Sequence, residues 1–420
     1  KHNQMKSFKK LLTAGFLAIA LAGTAHAQTK IYITGSTAFR SATHNAIAST
    51  LSGTVTTASD NASLTSANAV TYTGGNIGGT AVTIKTSWSG SAAGIQTVAG
   101  SLNVRFLVDG ATGTANLDPR NVANPAEVTV PDISMADNYQ TSTLFRNTFL
   151  GVPYENLSTT IVGVVTFRWI ASNGFPSGQT MTTQLAQYLL GSGAIPVALF
   201  TNNTADETVI AYATGRDPDS GTRITAFAES GVGALSTVKQ WKPLTFSNGL
   251  GTNDVVQTMD LYPIQTINGV STGSVGNSGE SSGSSLRAFT NKTLAAGAYD
   301  PFGDGYTGGF FVTYMGTSDA TNVLGAAIKP AVSLKYNGVD FSTDAVKNGQ
   351  YTFWGYQHLM HRSSLGNGTT GGPAVKGTFA TNLKNTILAT SGATLSPNVK
   401  LSEMKVSRSS DGGQVGATYF

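Results

Sequence analysis

The sequence predicts an α/β protein built as two lobes, and three observations carry that expectation. Apolar runs with the alternation of a strand recur along the chain, each followed by a turn of small residues and then by a helix-like segment. Cysteine is absent, and 420 residues are enough to bury large cores without covalent staples. Charged residues make up only 11% of the chain, yet the stretch RDPDSGTR, Arg216 to Arg223, gathers two arginines and two aspartates around Ser-Gly-Thr.

Taken in order, the chain opens with a segment that reads as an export signal. Met5 is followed by Lys6, Lys9 and Lys10, then by the apolar run LLTAGFLAIALAG and the small-x-small site Ala25-His26-Ala27. That run is too short to span a membrane, and no later stretch approaches the roughly 18 apolar residues a span needs. Four of the 26 basic residues, Lys1, Lys6, Lys9 and Lys10, precede the cleavage site, which leaves 22 against 22 acidic residues. The basic balance thus belongs to residues 1–27, and nucleic acid is not an expected partner. With no cysteine there is no lipid anchor of the acyl-cysteine kind, and the expected compartment is a periplasm.

The repeating units follow. KIYI leads through TGSTAF to RSATHNAIAST; AVTIKTSW leads through SGSAAG to IQTVAGSL; EVTVPDISM leads through ADN to YQTSTLF; TVIAYATG leads through RDPDSGT to RITAFAESG. Strands alternating with helices predict largely parallel sheets, in which ligands sit beyond the carboxyl ends of strands where helices begin. A helix start leaves backbone N–H groups without partners and carries a partial positive charge, so hydroxyls and glycine beside it make a place for an oxyanion. Three turns have that composition: Thr34-Gly35-Ser36-Thr37, Ser89-Gly90-Ser91 and Ser220-Gly221-Thr222. A fourth is Ser278-Gly279-Glu280-Ser281-Ser282. Serine, threonine and aspartate are also the preferred helix caps, so any one of these turns alone reads first as a cap. Their joint order is what points to a site.

These residues resemble the periplasmic phosphate-binding proteins that feed phosphate ABC transporters, a type II solute-binding fold. Arg216-x-x-x-Ser220-Gly221-Thr222 has the spacing of that family's phosphate loop. ITGSTAF resembles its first anion loop and SGSAAGIQTVAGSL its second, while ISMAD resembles the strand end that carries an aspartate to the ligand. The segment YNGVDFSTDAVKNGQYTFWGY resembles the family's closing segment. The resemblance implies a two-lobed fold with a hinge and a ligand cleft between lobes. It places Ser36, Thr37, Ala38, Ser91, Asp137, Arg216, Ser220, Gly221 and Thr222 at the ligand. Strands GVVTFRW and GFFVTYMG are the expected crossings, giving one lobe of residues 28–164 and 316–420 and another of 165–315. The implied partners are inorganic phosphate and the membrane permease of an ABC transporter, with the protein acting as a monomer and not as an enzyme, and with no cofactor or metal.

Three departures from that family pattern stand out. Pro218 and Asp219 occupy positions where the family has aspartate and glycine, so the acid that orients Arg216 is expected to be Asp217 or Asp219. Arg40 follows Phe39 and adds a cation near the first helix start. Residues 103–130 look inserted. Asp137 supplies the expected selectivity: phosphate at neutral pH still carries a proton to give to a carboxylate, and sulfate does not. Two other readings stand beside this one. A calcium-stabilised secreted structural protein would use the spaced aspartates of DPDSG and DPFGDG, although neither completes a calcium loop and no ladder of repeats accompanies them. A phosphohydrolase would need a nucleophile or a metal cluster, for which His358 and His361, with no acid nearby in sequence, are the local candidates. The alternation in YTFWGY predicts a half-buried strand.

Overall fold

The computed structural model describes residues 28–246, 255–267, 270–295, 308–366, 374–391 and 395–418. Residues 1–27, read above as an export signal, and DPFGDG lie outside these residues. Among them, no helix is long and apolar enough to cross a membrane.

The described chain opens with β1 (Thr29–Gly35), α1 (Arg40–Thr50), β2 (Thr56–Ser59), β3 (Ala69–Ile77), β4 (Thr80–Trp88) and α2 (Ser91–Ala99). It continues with β5 (Val104–Phe106), β6 (Glu127–Thr129) and β7 (Ile133–Ala136). Strand β8 (Ser158–Ala171) is the longest among the described residues, and it leads to α3 (Thr183–Ser192), β9 (Ala194–Pro196), β10 (Val209–Ala213) and α4 (Gly221–Glu229). Beyond them come α5 (Gly283–Thr290), β11 (Gly308–Gly316), α6 (Thr317–Leu324), β12 (Val332–Ser333), β13 (Trp354–His361) and α7 (Ala374–Ala389). An 11-stranded sheet runs in the order β9-β10-β11-β8-β13-β7-β1-β4-β3-β2, with β12 pairing β8 off this path.

The α/β class is thus as the sequence predicts, but the sheet is mixed rather than largely parallel. Parallel pairing joins β1 to β4 and β7, and β10 to β11. Antiparallel pairing enters by two routes. Gly78 (φ 55°) and Gly79 (φ 82°) supply the positive angles of a two-residue hairpin turn, which forces β3 against β4. The long β8 crosses the sheet the other way, pairing antiparallel with β13 over Ser158 to Thr166 and with β11 over Phe167 to Ala171. Its partner therefore changes between Thr166 and Phe167.

The helix expected after ADN is absent. A single 3-10 turn spans Gln140–Ser142, because the Gln140 side chain donates to the carbonyls of Phe145 (2.9 Å) and Glu155 (2.8 Å) and so holds an irregular loop. The strand read as half-buried in YTFWGY begins at Trp354 and is buried on both faces through Met360, since it lies between β8 and β7 in the middle of the sheet. Its neighbours Tyr351 and Phe353 are equally buried and stack with Phe341, Tyr336, Phe167 and Trp169. Residues 103–130 form a flap whose β5–β6 hairpin carries acids onto the sheet. Lys85, only 1% exposed in the middle of β4, donates to the carbonyl of Leu107 (2.7 Å) and to Asp109 (2.8 Å) and Glu127. Lys30 and the Tyr32 hydroxyl complete the cluster on Glu127, at 2.8 and 2.6 Å. These contacts are what make a buried lysine tolerable, because an unpaired ammonium there would be costly.

Candidate functional site

The site is built where β1, β4, β7 and β10 end. At the end of β1, Gly35 has φ 121°, and a Cβ there would lie 2.0 Å from the Met135 carbonyl oxygen. Only glycine lets the strand turn so close to β7. Ser36 N then donates to that same carbonyl (2.7 Å), and the Ser36 hydroxyl accepts from Ala38 N (3.2 Å). At the end of β4, Gly90 has φ 127° and no room for a side chain, since a Cβ would sit 2.4 Å from the carbonyl oxygen of Asp219. That oxygen accepts from Ala92 N (2.9 Å) and Ala93 N (3.4 Å), so the start of α2 is capped by the opposite loop. Helix α2 begins at Ser91, earlier than the sequence pattern places it.

Seven of the nine candidate residues lie at this junction. Asp137, 1% exposed just beyond β7, takes a very short hydrogen bond from the Ser91 hydroxyl on one carboxylate oxygen and one from the Thr222 hydroxyl (3.4 Å) on the other. Its own N–H donates back to Ser91 Oγ (3.0 Å). Gly221 presses against it so closely that a Cβ would stand 1.8 Å from Asp137 Oδ1. Ser220 caps α4, its hydroxyl accepting from Arg223 N (3.3 Å), which leaves its proton to donate elsewhere. Ser36 and Arg216 lie near enough to the same carboxylate to favour its charged form. Thr37 and Ala38 follow directly on Ser36, whose hydroxyl accepts from Ala38 N, but neither contacts the Asp137 carboxylate through a side-chain hydrogen bond among the described residues. They line a neighbouring cavity with Arg40.

The chain is similar to phosphate-binding transport proteins. A structure assigned as a phosphate ABC transporter substrate-binding protein with bound phosphate, from Clostridium perfringens, shares 12% identity over 89% of this chain and 100% of that one, with a TM-score of 0.43. An ABC-type phosphate transport receptor from Vibrio cholerae shares 12% identity over 84% of this chain and 93% of its own, with a TM-score of 0.39. An OxyR mutant from Corynebacterium glutamicum shares 9% over 90% of this chain and 71% of that chain, with a TM-score of 0.36. No family model matches the sequence, and no curated protein matches it.

The orientation of Arg216 corrects the sequence reading. Neither Asp217 nor Asp219 forms an ion pair with it among the described residues. Its Nε donates to the carbonyl of Glu280 (2.9 Å) and its Nη2 to that of Ser281 (2.9 Å). The fourth small-residue turn is therefore the clamp for this arginine, and backbone pairing locks the two segments together: Asp217 N donates to Glu280 O (3.1 Å) and Glu280 N to Gly215 O (2.9 Å). Arg223 is structural as well. It donates to the carbonyls of Arg216 and Asn277 (3.0 Å each) and to the Asn277 side chain (2.6 Å), with its guanidinium over the Phe227 ring.

Sequence reasoning missed three supports. Tyr314 Oη accepts from Arg216 N (3.2 Å) and donates to Gln240 Oε1 (2.9 Å), while Gln240 Nε2 donates to Arg216 O (3.1 Å). Asn138, fully buried, has no partner for its Oδ1 and lies against Gly221. The visible signal was Gly215 before the arginine: a Cβ there would meet Gln240 and Tyr314 at 2.2 and 2.6 Å.

Burial governs the acids here. It pushes Asp137 above the usual carboxylate range, with the Ser91 hydrogen bond and the Arg216 charge pulling the other way. Burial and the Asp219 charge raise Asp217 to about 8, and burial raises Asp219 to about 6 against the pull of Arg216 and Arg223. The histidines do not belong to this chemistry. His44 Nε2 accepts from Trp88 Nε1 (2.7 Å) while its Nδ1 meets the Leu64 carbonyl (2.7 Å), and His358 is buried in β13 against Tyr139. Among the described residues, no group of three His, Cys, Asp or Glu is placed to hold a metal ion.

Proposed function

We propose that the chain is an exported solute-binding protein that captures inorganic phosphate between two lobes, residues 28–164 with 316–420 and residues 165–315, and delivers it to the membrane permease of an ABC transporter. The observation that carries this reading is the buried Asp137, met by the Ser91 hydroxyl from one side and the Thr222 hydroxyl from the other, with the Arg216 charge beside it. Hydroxyl donors from two distant segments aimed at one acidic group are what an oxyanion requires. The carboxylate holds these donors until a ligand takes them over. A protonated oxyanion gives Asp137 a hydrogen in exchange, whereas sulfate leaves it facing an anion with nothing between.

The partner change within β8 between Thr166 and Phe167 supports a hinge there, since one strand then belongs to both halves. The test is calorimetric titration of the protein with phosphate and with sulfate, repeated on Asp137→Asn. Phosphate is expected to bind with negligible sulfate binding. The variant is expected to lose most of that preference, because its amide donates a hydrogen where the carboxylate could only accept one. Equal affinity for both anions in the unaltered protein would remove the role given to Asp137.

A further inference from the structure

Next to the proposed phosphate site, and sharing the wall made by Thr37 and Ala38, is a cavity of about 250 Å³. Its far side is formed by Gly316 and Ser318 at the start of α6 and by Arg287 of α5. The two sides meet closely, for a Cβ on Gly316 would touch the Ala38 Cβ at 3.4 Å. Arg40 is the group that stands out. It is 6% exposed, its Nε donates to the Thr65 carbonyl (3.3 Å) and its Nη1 to Asn68 Oδ1, and its Nη2 has no hydrogen-bond partner among the described residues.

No carboxylate forms an ion pair with Arg40 among the described residues. Asp319, the acid lining the cavity, is committed to the opposite wall, where it pairs with Arg287 (3.4 Å) and lies against Gly283 at the start of α5. Burial lowers Arg40 from the ordinary arginine range to about 10, with the charges of Asp319 and Asp60 pulling the other way and those of Arg120 and Arg216 adding to the fall. A guanidinium that is nine-tenths buried, held in place by two bonds and left with one nitrogen free beside an open volume, is set up to receive an anionic oxygen.

We propose that this cavity extends the phosphate site and receives the second anionic group of a phosphate monoester, with Arg40 as its counter-charge. The inference rests on the phosphate reading of the adjoining site. Inorganic phosphate fills the inner site alone, and an ester bearing a carboxylate reaches past Thr37 to Arg40.

The experiment is calorimetric titration with three probes: inorganic phosphate, glycerol 3-phosphate, whose tail is neutral, and 3-phosphoglycerate, whose tail is a carboxylate. In the unaltered protein, 3-phosphoglycerate is expected to bind about tenfold more tightly than glycerol 3-phosphate. Arg40→Gln should bring the two esters together and leave inorganic phosphate unchanged. Asn322→Asp places a like charge on the cavity wall without touching the bonds of Arg40, and it should weaken 3-phosphoglycerate selectively even if the arginine variant folds poorly. Equal affinity of the two esters, or loss of all three probes alike in Arg40→Gln and in Asn322→Asp, overturns the extension while leaving inorganic phosphate as the ligand. Failure of every probe to bind overturns the phosphate reading with it. Binding of 3-phosphoglycerate alone, dependent on Arg40, would keep the extension and replace inorganic phosphate as the ligand.

Discussion

Gly221→Ala is the perturbation that most directly separates a ligand-dependent junction from a permanent one. The added methyl would lie 1.8 Å from Asp137 Oδ1 and 2.7 Å from both Asn138 Oδ1 and Ser91 Cβ, all of them buried. The carboxylate cannot simply rotate away, because Ser91 and Thr222 hold both of its oxygens. Overpacking of this kind costs about 1–3 kcal/mol, which is about a 5- to 150-fold loss of affinity if the cost falls only on the closed state. In an open state the same substitution is harmless or mildly favourable, since Gly221 is the first residue of α4 and alanine suits a helix better than glycine. The expected result is therefore weaker phosphate binding in calorimetric titration, with thermal stability of the ligand-free protein unchanged or raised. Affinity within twofold of the unaltered protein would refute the argument. So would a fall in ligand-free stability matching the loss of affinity, because the contact between Gly221 and Asp137 would then be ordinary core packing.

Other outcomes follow from the same structure. Glu127→Ala takes from the buried Lys85 its best-covered acid and leaves it the exposed Asp109 and one carbonyl, and urea denaturation should show a loss of about 1–3 kcal/mol. Burial depresses His44 and His358 to about 4, so imidazole nitrogen NMR at pH 5.5 should find both neutral. The stability tied to that shift is present above the ordinary histidine pKa near 6.5 and is lost as pH falls through 4. Asp217, raised to about 8, is partly protonated at pH 8. An incoming anion raises it further, so calorimetry in buffers of different ionisation enthalpy should detect proton uptake on phosphate binding at that pH, and Asp217→Asn should diminish it.

The parts of the fold that were legible in the sequence are those fixed locally. A strand that must end and a helix that must begin within a few residues needs glycine for the turn and a hydroxyl for the cap. Hence α4 and α5 start where Ser220 and Ser282 cap them, while α1 follows the Thr34-Gly35 turn with Phe39 at its start and no side-chain cap. Strand polarity was not legible, because whether β8 runs with or against β11 and β13 depends on segments more than a hundred residues away. The clamp on Arg216 was hidden for the same reason: its acceptors are main-chain carbonyls 64 and 65 residues downstream, and a carbonyl leaves no mark in residue type. The flap did leave a mark. A lysine at position 85 within the buried β4 demands an acid within reach, and Asp109 and Glu127 of the flap are the acids that meet it.

The charge gathered in residues 216–223 has a different explanation from mutual pairing. Both guanidiniums spend their hydrogens on carbonyl dipoles, which orient a cation without cancelling its charge. The aspartates beside them are held by burial above their usual range, Asp217 most of all, so near neutral pH they return less than a full negative charge each. Asp217 Oδ1 even lacks a partner. The loop therefore enters the site with its positive charges fixed and its negative charges adjustable by protonation. An anion arriving at Thr222 and Arg216 would meet uncancelled cations, and the aspartates could yield by taking up protons rather than by moving. Replacing the aspartates with neutral residues would leave the cations in place at every pH, and replacing the arginines with lysines would lose the two-pronged grip on carbonyls that frees their charge for the ligand.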